Sequence, residues 1–151
     1  MGRATRSRLL AVDAGELWRT VGDVEQLPRW WPRVVRIEAA EGVEFTQVLR
    51  TDKGREVRAD FTIVEQVPER LLRYEQQVDG TPFEGLLKGS ATEVGLLPQD
   101  GGTVVAIVVE RQLKGLARFG GVIVRRGTRR QIDEALDALA GIFGAHEAAR
   151  D

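Results

Sequence analysis

The sequence predicts an α+β domain: a curved antiparallel sheet of six to seven strands wrapped around a long C-terminal helix, with two short helices after the first strand. Three observations carry the prediction. Period-two alternation recurs between Val35 and Leu113 and is broken by hairpin turns. A single amphipathic stripe runs from Leu116 to His146. A Trp30-Trp31-Pro32 break divides helix-like from strand-like sequence near the start.

The elements follow in order. Arg3 to Val12 reads as a first strand of imperfect alternation, with Ala4, Arg6, Arg8 and Leu10 on one face. Asp13 caps a helix predicted over Ala14 to Val21, with Glu16 placed for a capping box and Leu17, Trp18 and Val21 at helical spacing. Asp23 opens a second helical piece, which must end by Pro32 because proline lacks an amide donor and restricts its predecessor. Val35, Ile37 and Ala39 then share a strand face, and a strand from Glu44 to about Thr51 leads into an Asp52-Lys53-Gly54 turn. In Arg55 to Val67 the residues Val57, Ala59, Phe61 and Ile63 oppose Glu56, Arg58, Asp60 and Thr62, so one face is buried. Pro68 and Glu69 turn into Arg70 to Asp79, where Leu72, Tyr74, Gln76 and Val78 share the apolar side. A loop through Gly80 and Pro82 precedes a strand from Phe83 to Leu97, and Gln99 to Gly102 form the turn into Thr103 to Leu113. The run Val104 to Val109 does not alternate, which predicts cover on both faces. A helix covers one face in either case, and the other is covered by a neighbouring molecule, such as a homodimer partner, or by a strongly bent sheet.

Leu116 to His146 places Val124, Ile132, Ala135, Leu136, Leu139, Ile142 and Phe143 at steps of three and four, with Arg125, Arg126, Arg129, Arg130, Asp133, Glu134 and Asp137 opposite. The mixed charges read as a solvated helix face rather than a phosphate site. Gly120, Gly121 and Gly127 weaken the first turns by roughly 1 kcal/mol each and make them a candidate gate.

Composition narrows the function classes. A chain of 151 residues suits one domain, taken as 1–151, able to bury roughly two-thirds of its unfolded surface. With 22 basic and 23 acidic residues, no strong field draws it to nucleic acid or acidic membranes. The chain has no cysteine, which excludes thiol chemistry and fits a reducing compartment; with no signal-like or membrane-spanning stretch in Met1 to Val12, it reads as cytoplasmic. The one histidine, His146, is poorly placed for a triad or a multi-histidine metal site. With no cysteine and a single histidine no metal is expected, and with no glycine-rich nucleotide loop no nucleotide cofactor; no cofactor of any kind is expected. A twisted meander curls, and a helix touches a curved sheet only along a line, which leaves space for a small apolar guest.

The stretch Val12 to Trp18, with Val21, Asp23, Leu27, Pro28, Trp30, Trp31 and Pro32, resembles the opening signature of the START-like superfamily, in particular its polyketide cyclase/dehydrase and lipid-transport branch. Gly85 to Gly89, the Asp100 to Val104 turn and the terminal helix agree in order. The resemblance implies a helix-grip fold with a ligand cavity, without choosing a reaction. Many relatives carry a tryptophan two residues after the sixth-strand glycine; here Ala91 follows Gly89, a change expected to reshape the cavity.

The candidate ligand-binding residues are Trp30, Trp31, Phe61, Leu72, Tyr74, Gln76, Leu87, Glu110, Ile132 and Leu136. Each has a plainer reading: the apolar ones as core, the tryptophans as core or lid, Tyr74 and Gln76 as a mutually bonded pair. Trp18 reads as packing. Glu110 and Arg111 fall on opposite strand faces, so only one looks inward, where a buried charge would anchor a ligand or move a proton. The function expected is binding or transport of a hydrophobic small molecule such as a lipid, quinone or aromatic polyketide. The alternative is a polyketide cyclase or dehydratase using Tyr74 or Glu110 on a ligand in the same cavity.

Overall fold

The computed structural model describes residues 2–115 and 121–144. Strands β1 (Gly2–Leu10), β2 (Val34–Glu41), β3 (Glu44–Arg50), β4 (Glu56–Val67), β5 (Leu71–Gln76), β6 (Leu87–Gln99) and β7 (Gly102–Leu113) form one antiparallel sheet in the order β1-β7-β6-β5-β4-β3-β2. Helices α1 (Ala14–Val21) and α2 (Leu27–Trp30), joined by a 3-10 turn over Val24–Gln26, connect β1 to β2, and α3 spans Gly121–Phe143. The expected helix start at Leu116 and the position of His146 lie outside the described residues.

The caps behave as the sequence requires. Asp13 Oδ1 accepts from the Glu16 amide at 2.8 Å and Asp23 Oδ1 from the Glu25 amide at 3.0 Å, each occupying an otherwise orphaned helix donor. Trp18 lies over Gly22, where an added Cβ would come within 2.3 Å of the indole, so it is packing as expected.

Bulges bend the sheet. Register shifts occur in β2 against β3 between Val34 and Arg36, in β4 against β5 between Ile63 and Glu65, and in β6 against β7 between Leu87 and Gly89. The first changes the reading of β2: Val34, not Val35, is the fully buried residue, and Ala39 is exposed in a left-handed conformation. β6 begins at Leu87 rather than Phe83, because Thr81 to Leu87 close a hydrogen-bonded turn of their own. Thr81 Oγ1 accepts from the Phe83 amide, and Phe83 O accepts from the amides of Leu86 and Leu87.

The apolar run of β7 alternates in burial after all. Val105, Ile107 and Val109 are buried on the concave face, while Val104, Ala106 and Val108 are half-buried on the convex one. On β1, Arg6 and Arg8 share a face with buried Ala4 and Leu10 because they run beside α3. Arg8 pairs with Asp137 at 2.7 Å and Arg6 with Asp133 at 3.5 Å, which explains the imperfect alternation of that strand. Asp133 and Asp137 therefore answer arginines of β1 rather than the basic run of their own helix, whose Arg126, Arg129 and Arg130 are solvated.

α3 packs against β1 and β7 and touches α2. Ile132, Ala135, Leu136 and Leu139 are fully buried beneath it. Because the helix sits over one side of the sheet, the concave face of β3, β4 and β5 curls past it, and that is where space remains.

Candidate functional site

Phe61 and Tyr74, from neighbouring strands, form the floor of that space, and Phe45 packs against both of them. Phe45 stacks on Phe61 with centroids 5.4 Å apart, and Tyr74 meets both edge-on at 5.3 Å. Above them a cavity of about 270 Å³ is lined by apolar side chains such as Trp31, Leu49, Leu87 and Leu113, together with a group of polar ones. The turn over residues 81–87 brings Phe83 and Leu86 to its edge, and Val124 and Gln131 of α3 close the other side.

Five of the ten residues singled out from sequence line this cavity: Trp31, Phe61, Tyr74, Gln76 and Leu87. Trp30, Leu72, Ile132 and Leu136 are buried in the surrounding core instead. The two tryptophans meet edge to face at 5.6 Å, both are buried, and Trp31 is the one turned to the cavity. Glu110 requires a correction. It lies on the convex face, where Arg73 donates to it at 3.0 Å within a cluster that includes Glu93 and Glu75. The inward member of the pair is Arg111, which lines the cavity. Ala91 is also convex: it pairs with Glu75 and Glu110 and borders an outer depression, so the missing tryptophan does not shape the interior. Gln76 and Ser90 border both spaces, at the point where β5 stops pairing with β6.

Within the polar lining Arg111 can only donate, whereas the glutamine, serine, threonine and tyrosine side chains both donate and accept. Arg111 Nη1 donates to Thr128 Oγ1 and Nη2 to Gln131 Oε1, each at 3.0 Å. Thr128 Oγ1 in turn donates to Val124 O at 2.8 Å. Tyr74 and Gln76 do not pair with each other as the plainer reading had it: the Tyr74 hydroxyl and Gln76 Nε2 are both buried without a hydrogen-bond partner among the described residues. Gln47 and Thr92 lie close enough to Tyr74 to ease its ionisation slightly, though neither meets hydrogen-bond geometry to the hydroxyl. Burial dominates, pushing the phenol pKa well above its ordinary value and pulling the Arg111 guanidinium downward. A guanidinium so lowered still carries its charge at neutral pH.

Tyr74 is the chain's one tyrosine, so an absorbance titration reads it alone. The folded protein holds this proton more tightly than the unfolded chain. The stabilisation is complete below the unfolded value of about 10 and is lost as pH rises toward the folded one. Tyrosinate absorbance is therefore expected only above that value and together with loss of far-UV structure. A reversible titration near pH ~10 in folded protein would show the hydroxyl to be solvated.

The matched family and the fold agree. A model described as polyketide cyclase/dehydrase and lipid transport matches residues 1–143. The chain belongs to that family. No curated protein matches it. Among solved structures, a START superfamily protein from Mycobacterium smegmatis superposes with a TM-score of 0.77 at 13% identity, covering 95% of this chain and 98% of its own. A Thermobifida fusca protein gives 0.68 at 22% identity, covering 93% and 91%. The di-domain aromatase/cyclase StfQ from the steffimycin pathway gives 0.75 at 17% identity over 97% of this chain, which spans 52% of that protein. These likenesses establish the START-like helix-grip fold for this family member. Among its described residues, no helix is long and apolar enough to cross a membrane.

Proposed function

We propose that this member of the family binds or carries a hydrophobic small molecule in the cavity between the curved sheet and α3. The observation that carries the reading is the space itself, about 270 Å³ walled by Trp31, Leu49, Phe61, Leu87 and Leu113 beside a core of buried side chains. A concave, largely apolar pocket of this size, open on one side, is suited to a small guest. Its volume favours a compact one, a fused-ring aromatic or a medium-length acyl chain, over a two-chain lipid.

The cyclase reading draws support from the family description and from Tyr74, which faces the cavity. The geometry favours the carrier. With Glu110 on the outer face, the described residues of the lining offer Tyr74 and Arg111 as titratable groups, both protonated at neutral pH, and no carboxylate or imidazole is found among them.

The test is mass spectrometry of untreated protein under native conditions, followed by melting with compact apolar probes. A co-purifying small molecule, or a rise of several degrees on adding decanol, is the expected result. Protein that arrives empty and melts at the same temperature with every probe would overturn the proposal.

A further inference from the structure

We infer that the guest is an amphiphilic monoanion whose carboxylate seats on Arg111 while its apolar body lies against Phe61 and Leu87. The inference rests on the binding reading above and adds the chemistry of the headgroup.

It begins with a charge that has no counterpart. Arg111 sits on the concave face of β7 with its guanidinium at the cavity wall, and the two partners it has, Thr128 and Gln131, are neutral. Among the described residues no carboxylate comes within 4.0 Å of it. The nearby acids of α3 are engaged elsewhere, Asp133 with Arg6 and Asp137 with Arg8. On the other side of the same sheet Arg73 shows the usual arrangement, with Glu75, Glu93 and Glu110 around one guanidinium. A cation in a partly apolar enclosure without a counter-ion is costly, and such charges are ordinarily paired.

The groups beside Arg111 have the same imbalance. A guanidinium brings five N–H donors, and two are used by Thr128 and Gln131. Tyr74 and Gln76 line the same cavity, and the Tyr74 hydroxyl and Gln76 Nε2, buried just behind its surface, have no hydrogen-bond partner among the described residues. What would satisfy this wall is a compact group rich in acceptor oxygens and negatively charged. A carboxylate offers two oxygens in a plane that matches the guanidinium fork. One cation also balances one negative charge; a dianionic phosphate would leave an uncompensated charge in the same enclosure. The larger part of the wall is apolar, so the bearer is an alkyl or aryl carboxylate, not a free small acid.

Decanoate, decanol and decyl phosphate separate the possibilities, because they share one chain and differ in the headgroup. Binding to the full chain is measured by calorimetry below micelle-forming concentrations, at mildly alkaline pH. The wild type is expected to bind decanoate at least about tenfold more tightly than decanol, the gain typical of one charge-assisted contact, and more tightly than decyl phosphate. Arg111→Met should remove that preference by weakening decanoate about tenfold while leaving decanol unchanged. The ligand-free variant should melt no lower than wild type, since an unpaired cation has been taken out. Tyr74→Phe should weaken decanoate by a few-fold without touching decanol. Equal wild-type affinity for decanoate and decanol overturns the carboxylate and leaves the apolar cavity standing. Tighter binding of decyl phosphate overturns it in favour of a phosphate. If none of the three binds, both this inference and the binding proposal fail. The wild-type comparison decides the matter even if Arg111→Met does not fold.

Discussion

Adding one methyl group at Gly102 (Gly102→Ala) is expected to cost at least roughly 3 kcal/mol of stability and to leave little folded protein. Two independent penalties meet there. The residue has φ +150°, a conformation that side chains with a Cβ rarely adopt. A Cβ built on it would also lie 1.9 Å from Leu10 O and 2.8 Å from the Ala11 Cα, both backbone atoms that cannot rotate away. Relief would require moving the end of β1, which Thr103 holds through a 2.8 Å hydrogen bond from its Oγ1 to Val12 O. Gly127→Ala is the matched control, because that position lies within α3 with nothing in reach of a new Cβ. There the same methyl should raise stability by about 0.5–1 kcal/mol through helix propensity. Urea melts of the two variants should shift in opposite directions. A Gly102→Ala protein as stable as wild type would mean that the β6–β7 turn does not press on β1 as described.

Leu136→Ala is expected to cost about 2–5 kcal/mol and to lower the melting temperature by about 10 °C for a chain of this size. Leu136 is 1% exposed and lies on the stripe of α3 that also buries Ile132, Ala135 and Leu139. α3 is bound to the sheet through this stripe, through the Arg111 hydrogen bonds to Thr128 and Gln131, and through the Arg6 and Arg8 ion pairs, which are partly exposed and worth little. The packing therefore has to carry most of the attachment. Because Leu136 is core and not cavity wall, its truncation should alter decanoate affinity much less than stability. A loss below about 1 kcal/mol would indicate that the helix is not seated on the sheet through this face.

The family resemblance, the long terminal helix and most strand boundaries were legible in the sequence because they rest on local chemistry. Asp13 and Asp23 are caps wherever they precede a helical turn, and Gly54 and Gly101 permit the left-handed conformations that their hairpins need. Val57, Ala59 and Phe61 alternate with charges, so their strand had only one apolar face to bury. The same rule placed Phe61, Tyr74 and Gln76 inward, and all three line the cavity.

The sequence alone determined that a curled sheet would grip an apolar helix, since burial of one stripe and of alternating strand faces admits few other arrangements. Only the tertiary structure decided which charge points inside. In β7 both parities are apolar, Val105, Ile107 and Val109 on one and Val104, Ala106 and Val108 on the other, so alternation could not separate Arg111 from Glu110. The bulges between Val34 and Arg36 and at the start of β6 were equally silent, because pairing of strands far apart in the chain sets them. The floor and wall of the cavity, and the guanidinium left among neutral partners there, follow from how strongly those bulges bend the sheet over a helix seated to one side.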